Sequence, residues 1–186
     1  LANPSSGDVL LDPMAGVGAI PAEAVRSWSS TTVLAGERNS SAVRQARRTS
    51  RRCAENLGRT FDALRWDASR LPLRSQSVDR LVTDFPWGNR SRLDASLLER
   101  VVAEIARVLA ATGCAVILLL RPMAKQLHDM SSALVVVRSL DVIVGGWPVA
   151  AVVLRHADKS LACALNGEGN RRKPVFDAAT SDTCCC

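Results

Sequence analysis

Short apolar segments alternate along this chain with longer segments of helical spacing, and this alternation limits the possible folds most. The predicted strands cover residues 9–11, 32–35, 61–66, 78–83, 115–120, 134–144 and 149–154. Among the first five strands, segments 19–28, 39–57 and 97–109 place apolar residues three or four positions apart, which predicts helices. This order is typical of an α/β fold whose sheet is mostly parallel.

The C-terminal end departs from this pattern. Only the segment 145–148, Gly-Gly-Trp-Pro, separates the last two predicted strands. A parallel crossover needs a dozen or more residues, so we predict an antiparallel hairpin there. A weaker helix is predicted over 123–132. Gly113, which follows the third helix, is expected to end that helix in the way C-terminal glycines do.

Composition excludes several classes of protein. The chain has 186 residues, of which 47% are hydrophobic and 23% charged, so it can bury the core of one domain and is not wholly disordered. Its longest clean apolar run, 114–120, is far shorter than the roughly 20 residues of a membrane-spanning helix. Cys53, Cys114 and Cys163 lack metal-ligand spacing, so we predict no metal site. Sparse cysteines favour a reducing, cytoplasmic location.

The chain is basic, with a net charge of +6, and all but three of its 24 cationic residues are arginines. Arginine suits bidentate contact with phosphate, but a codon bias explains the excess equally well. One group of arginines lies on the outer face of the helix predicted over 39–57: Arg44, Arg47, Arg48, Arg51 and Arg52. We expect this face to be solvated surface rather than a track for RNA.

Acidic residues stand where the first four predicted strands end. They are Asp12, Glu37, Asp67 and Asp84. The carboxyl ends of parallel strands share one edge of a sheet, and ligands of open α/β sheets bind beyond that edge. Each acid alone could cap the helix that follows it. Four together favour a binding site.

A glycine-containing turn follows the first strand. Gly16 and Gly18 allow a ligand to approach the backbone closely. A dinucleotide site would have a third glycine, but Pro21 stands at that position. The carboxylate of Asp12 also disfavours a diphosphate, which needs positive charge or bare N–H groups. A cationic ligand without phosphate fits better, and S-adenosylmethionine is such a ligand.

Two further acids suit the nucleoside part of S-adenosylmethionine. Glu37 lies 19 positions after Gly18, the spacing at which an acid meets ribose hydroxyls. Asp67, at the end of the third strand, is placed for the adenine amino group. Met14 and Ala68, beside the loop and Asp67, complete the predicted cofactor site.

The tetrapeptide Asp84-Phe85-Pro86-Trp87 suggests the chemistry. An amine conjugated to a nucleobase is a poor nucleophile because its lone pair is delocalised. The Asp84 carboxylate and the Phe85 carbonyl can each accept one N–H bond and so hold the amine, and positioning of this kind contributes about 7–11 kcal/mol. Pro86 stiffens the loop. Trp87 offers a face on which a flipped-out base can stack.

Several motifs resemble those of a known family. The first is the segment 12–21, Asp-Pro-Met-Ala-Gly-Val-Gly-Ala-Ile-Pro, which resembles the first motif of class I RNA methyltransferases. More particular are Trp-Asp at 66–67, Leu-Pro-Leu-Arg at 71–74 and Val-Thr-Asp-Phe-Pro-Trp-Gly at 82–88. Together these resemble the THUMP-domain tRNA guanine-N2 methyltransferases, and most closely the THUMP domain-containing protein 3 type.

The resemblance implies a Rossmann-like class I methyltransferase sheet, S-adenosylmethionine as cofactor, and methylation of the N2 amine of a guanosine in tRNA. It also implies a small zinc-binding activator protein as partner. The implied cofactor residues are Asp12, Met14, Gly16, Gly18, Glu37, Asp67 and Ala68, and the implied target-binding residues are Asp84, Phe85, Pro86 and Trp87.

The resemblance also sets an expected domain organisation. We expect a methyltransferase domain over 1–156 and a mostly disordered tail over 157–186. The first residue is Leu1, close to the first strand, so we expect a fragment that lacks the THUMP domain of the family.

Two other functions remain open from the residues. The tetrapeptide also suits an N6-adenine methyltransferase acting on DNA or RNA. A truncated, non-catalytic copy that only binds the activator is the other alternative. A dinucleotide oxidoreductase is disfavoured by Asp12 and Pro21.

Overall fold

The computed structural model describes residues 1–86, 95–130 and 133–157. Its helices and strands are β1 Val9–Asp12, α1 Ala19–Ser27, β2 Thr32–Glu37, α2 Ser40–Leu57, β3 Asp62–Arg65, β4 Val78–Asp84, α3 Ala95–Val108, β5 Leu109–Leu120, α4 Arg121–Met130, β6 Leu134–Val144 and β7 Trp147–His156. The predictions for Trp87 and for the tail beyond Ala157 concern residues outside the described ranges.

Seven strands form one sheet in the order β3-β2-β1-β4-β5-β7-β6. The pairs among β1 to β5 are parallel, whereas β7 runs antiparallel to both β5 and β6. The predicted α/β sheet and its antiparallel C-terminal hairpin are therefore confirmed. Because β1 lies between β2 and β4, the order of strands reverses there, which is where open α/β sheets bind ligands.

One face of the sheet is covered by α3 and α4. Leu11, Leu81 and Ile117 of the strands form a buried cluster with Leu98 and Ile105 of α3, and all five are fully buried. The apolar stripe read from the sequence of α3 is the side that enters this core. Packing of this stripe fixes the start of α3 close to the end of β4.

The opposite face is covered over its first strands by α1 and α2. Leu10 and Val33 of the sheet pack with Ala24 of α1, Ala46 of α2 and the ring of Phe61. Asn39 caps α2 because its side-chain oxygen accepts hydrogen bonds from the backbone of the first helical turn. The arginine face of α2 is exposed, as expected.

Gly113 does not end α3, and that prediction is wrong. The helix ends at Val108 and β5 begins directly at Leu109, so Gly113 lies inside the strand. A Cβ at Gly113 would stand 2.8 Å from the carbonyl oxygen of Ala110 and 2.8 Å from the Leu109 side chain. The register between β4 and β5 also shifts here. The missing side chain of Gly113 thus lets neighbouring atoms approach closely in an irregular stretch of the strand.

Other boundaries differ by a few residues. β3 ends at Arg65 instead of 66, and α4 begins at Arg121 instead of 123. The turn between β6 and β7 contains only Gly145 and Gly146. Within the described ranges, no helix is both long and apolar enough to cross a membrane.

We predict that Gly36→Ala destabilises the fold. A Cβ at Gly36 would overlap the indole of Trp66, and the pyrrole N–H of that indole donates to the carbonyl oxygen of Pro13 at 3.3 Å. Overpacking of this kind costs about 1–3 kcal/mol in the free energy of unfolding. Urea denaturation of the single variant measures this loss.

The same substitution in a Trp66→Ala background provides the control. Without the indole, Gly36→Ala should cost little, because the two sites are coupled only through that contact. An equal loss of stability in both backgrounds would contradict this explanation.

Candidate active site

A cleft of about 600 Å³ opens at the carboxyl ends of β1, β2 and β4. Its volume falls within the range of about 300–1,000 Å³ that is usual for small-molecule sites. Its lining consists of Pro13, Met14, Gly16, Glu37, Arg38, Asn39, Asp67, Ala68, Asp84, Phe85, Pro86, Leu97 and Val101. The cleft thus lies at the edge of the sheet where the strand-end acids were predicted to meet.

The loop after β1 forms one wall of the cleft. The N–H of Ala15 donates to the carbonyl oxygen of Gly36 at 2.8 Å, and the N–H of Gly18 donates to that of Ala15 at 2.8 Å. Gly18 has φ +87°, and a Cβ there would stand 2.8 Å from the Phe61 ring. Gly16 also has positive φ, so both glycines are required by backbone conformation and not only by ligand approach.

Glu37 joins this loop to the start of α2. One of its carboxylate oxygens accepts from the N–H of Gly16 at 3.2 Å, and the other accepts from the N–H of Asn39 at 2.7 Å. The side chain is half-buried. Glu37 therefore holds its carboxylate at a fixed place in the cleft wall, with lone pairs left for a ligand's hydroxyl groups.

Asp67 lies two residues beyond the end of β3. Its Oδ1 accepts from both the N–H and the hydroxyl of Ser69, at 2.9 and 2.7 Å. These bonds hold the pKa of the Asp67 carboxyl below its usual value, with a smaller contribution from Arg38, whose guanidinium lies 3.9 Å from Oδ2. Asp67 is thus an ionised hydrogen-bond acceptor at neutral pH.

Asp12 is buried beneath the loop. Its Oδ1 accepts from the hydroxyl of Thr83 at 2.8 Å and from the N–H of Met14 at 3.1 Å. Asp12 is 1% exposed and Thr83 is fully buried. Burial raises the pKa of Asp12 to about 7, against the two hydrogen bonds, which lower it, and Asp84 and Glu37 raise it further.

Asp84 is the last residue of β4 and stands at the mouth of the cleft. Its side chain is exposed on one side, yet partial loss of solvation raises the pKa of its carboxyl to about 6. The next residue is anchored, because the N–H of Phe85 donates to the carbonyl oxygen of Leu118 at 2.8 Å and the Phe85 ring is buried in the core. Pro86 follows at the cleft surface.

Most of the predicted site residues meet in this cleft: Met14, Gly16, Glu37, Asp67, Ala68, Asp84, Phe85 and Pro86. Asp12 and Gly18 do not line it. They lie behind the wall, where they shape the loop. The prediction that Trp87 stacks on a base falls on a residue outside the described ranges.

Sequence reasoning missed several contributors to the site, among them Pro13, Arg38 and Asn39 of the cleft lining. Thr83 orients Asp12, and Trp66 supports the loop through Pro13. Leu97 and Val101 of α3 supply an apolar wall. The amphipathic pattern of α3 marked the last two as apolar, but no local signal distinguishes the end of a helix that reaches a cleft.

Across residues 1–86, 95–130 and 133–157, no group of three His, Cys, Asp or Glu side chains could hold a metal ion.

Solved structures with this fold include methyltransferases. TrmN from Thermus thermophilus is 25% identical, with a TM-score of 0.70 over 84% of this chain and 46% of that one. A methyltransferase in complex with the Haloferax volcanii Trm112 activator is 13% identical, with a TM-score of 0.65 over 83% of this chain and 84% of that one. The sheet is thus the Rossmann-like sheet of the methyltransferase class.

Residues 1–138 match the UPF0020 family, the RMKL-like methyltransferase domain, and the chain belongs to this family. The tRNA (guanine(6)-N(2))-methyltransferase THUMP3 of Bos taurus is 33% identical over 92% of this chain. The U6 snRNA (guanine-N(2))-methyltransferase THUMPD2 of Bos taurus is 34% identical over 64% of it. The chain spans 37% of the length of the first relative and 23% of the second.

We predict that Asp12→Asn makes the protein more stable at pH 8. The folded protein holds the Asp12 proton up to about pH 7, whereas the unfolded chain releases it near the ordinary aspartate pKa of 3.8, so stability falls as pH rises between these values. A shift of this size corresponds to at most about 4 kcal/mol. Asn keeps the acceptor oxygen for Thr83 and Met14 but has no proton to lose.

Thermal or urea unfolding between pH 4 and 8 measures this effect. The free energy of unfolding of Asp12→Asn should fall less steeply as pH rises. Asp84 contributes to the decline that is left. Asp62→Asn, an exposed aspartate of β3, is the matched control and should follow the wild-type curve. An Asp12→Asn protein with the full wild-type decline would show that Asp12 does not carry the pH dependence.

Proposed function

We propose that this chain is the catalytic part of an enzyme that transfers a methyl group from S-adenosylmethionine to the exocyclic N2 amine of a guanosine in tRNA. One observation carries the proposal. A single cleft holds Glu37 and Asp67 on one side of β1 and Asp84 with Pro86 on the other. The first side suits a nucleoside cofactor, and the second suits an amine that must be held in place.

The residues of the cleft fit S-adenosylmethionine. Glu37 is placed to accept hydrogen bonds from ribose hydroxyls, and ionised Asp67 can accept from an amino group of adenine. The acidic wall matches the positive sulfonium, and Met14 and Ala68 offer apolar contact. This cofactor supplies an electrophilic methyl group, and the remaining chemistry falls to the protein.

The chain's own task is to position the amine. Asp84 accepts one N–H bond of the target amine, and the backbone carbonyl of Phe85 accepts the other. These bonds direct the nitrogen lone pair toward the methyl carbon, and such orientation contributes about 7–11 kcal/mol to lowering the barrier. The nitrogen becomes strongly acidic only after the methyl group has been transferred. A carboxylate with a pKa near 6 is then a sufficient acceptor for its proton.

The guanosine N2 amine is favoured over the adenine N6 amine by the relatives, since both named sets act on guanine N2. tRNA is favoured over U6 snRNA because the tRNA enzymes match 92–94% of this chain and the snRNA enzymes match 64–76%. The relatives extend well beyond the matched region, so we assign capture of the whole tRNA to parts outside this domain.

We further propose a small zinc-binding activator protein as partner and the cytoplasm as location. The fold neighbour seen with the Trm112 activator supports an activator as partner, and zinc binding by that activator is part of the proposal. Co-purification of the full-length protein with such an activator tests it.

The methyltransferase domain over 1–156 and a disordered tail beyond it remain our proposal for the domain organisation.

Substitution of inosine for guanosine tests the substrate assignment. Inosine keeps the purine ring but lacks the exocyclic N2 amine. We expect transfer of labelled methyl to tRNA to vanish when the target guanosine is replaced, and to persist when other guanosines are replaced. Transfer that survives every single replacement would rule out the N2 amine of a unique guanosine as the acceptor.

We predict that Asp84→Ala abolishes methyl transfer and leaves S-adenosylmethionine binding largely intact. Asp84→Asn should keep part of the activity, because its amide oxygen still accepts a hydrogen bond. In the wild type, protonation of Asp84 should lower kcat as pH falls through about 6, and this acid limb should be absent from the Asn variant. Single-turnover rates and calorimetric binding measure the two properties separately.

Asp62→Ala, an exposed aspartate on β3, is the matched control and should keep wild-type rates. Loss of cofactor binding in Asp84→Ala would make Asp84 a cofactor residue instead. If the wild-type protein bound no S-adenosylmethionine even with its activator, the non-catalytic alternative would be favoured.

A further inference from the structure

The hairpin of β6 and β7 exposes apolar side chains at its tip. Ile143 is 74% exposed, Trp147 46% and Val144 39%. Single exposed apolar residues are ordinary, but a group that includes a tryptophan marks a contact surface more often. This tip has no part in the cleft lining described above, so its role is separate from that of the cofactor site.

The strand register places the tip at the same edge of the sheet as the cleft. Asp84 pairs with Leu118, and Leu118 pairs with Ala151, so these three residues form one row across the sheet. Trp147 lies four residues before Ala151 on β7, which puts it about 13 Å beyond that row and about 10 Å to the side of β4. Side chains alternate along a strand, so Trp147 projects from the same face as Asp84.

The tip is a short, well-defined turn. Gly145 and Gly146 have φ of +55° and +84°, and together they form the two-residue connection typical of a tight hairpin. Trp147 is already part of β7 and pairs with Val144 across the turn. The indole is thus held by a regular strand rather than by a long loop.

From this geometry we infer that Trp147 is a stacking platform for a nucleotide next to the target guanosine in the RNA. The inference rests on the proposed function, because the target base must enter the cleft beside Asp84. A base drawn out of a strand leaves its neighbours with a stacking face uncovered. An indole binds any base through its face, and it lies within reach of the nucleotides that flank the target.

The surroundings favour RNA over an apolar protein partner. The tip is continuous with the edge where the target nucleotide enters. Arg121, the first residue after β5, lies at that edge in an ion pair with Asp141 at 3.5 Å, and burial of this pair under an apolar partner would be costly.

Equilibrium binding of tRNA to the full-length protein tests the platform. We expect Trp147→Ala to raise the Kd for tRNA about tenfold to a hundredfold, which is the effect of losing one stacked base. Trp147→Phe should recover much of the loss, because it restores an aromatic face. Ile143→Ala is the control, since it removes apolar surface from the same tip on the opposite face of the sheet and should leave the Kd unchanged.

An abasic nucleotide on either side of the target guanosine completes the test. If the indole stacks on that base, removal of the base should weaken binding to the wild type and make little difference to Trp147→Ala. Equal losses in both proteins, or no loss on Trp147→Ala, would overturn the platform. Reduced activator binding by Trp147→Ala, with tRNA binding unchanged, would make the tip a protein-docking surface instead.

The two proposals fail in different ways. A wrong substrate assignment would appear as methyl transfer that ignores loss of the guanosine amine, while the Trp147 effect on binding persisted. If Trp147 is not a stacking platform, guanosine methylation would stay intact and would not change in Trp147→Ala.

Discussion

A buried carboxylate, Asp12, joins the ends of two adjacent parallel strands, and the geometry of the cleft depends on it. Its Oδ1 accepts from the hydroxyl of Thr83 on β4 and from the backbone of Met14 in the loop after β1. Thr83 directly precedes Asp84, so the same bond relates the position of the loop after β1 to that of Asp84. Such a pair is costly to bury unless it is hydrogen-bonded, and here both groups are.

Charge is divided between the interior of the cleft and the outside of the domain. Glu37, Asp67 and Asp84 concentrate negative charge at one edge of the sheet. The basic excess lies elsewhere, partly on the exposed arginine face of α2. The net charge of +6 therefore belongs to the chain outside the cleft, while the cleft suits a cationic ligand. The overall charge alone would have suggested a phosphate-binding pocket, which the local arrangement does not support.

Local patterns predicted the fold and most of the cleft, because strand-end acids and apolar spacing are features of neighbouring residues. Contacts between distant segments could not be predicted in this way. Nothing near Gly36 indicates that an indole from residue 66 lies across it, and nothing near Thr83 indicates that Asp12 accepts its hydrogen bond. The prediction for Gly113 failed for the same reason. A glycine after a helix usually ends that helix, but here the close approach of Ala110 and Leu109 requires a residue without a side chain.

The two halves of the cleft are built differently, and this difference bears on substrate choice. In the proposed division, the cofactor half comes from the loops that follow β1, β2 and β3, which are neighbours in the sheet. The proposed target half draws on the end of β4 and the start of α3, and the platform proposal adds the β6–β7 hairpin. Under these proposals, changes in the second set alter which RNA is held without disturbing the first. Relatives named for tRNA and for U6 snRNA, which share guanine N2 as the methylated position, fit such a division.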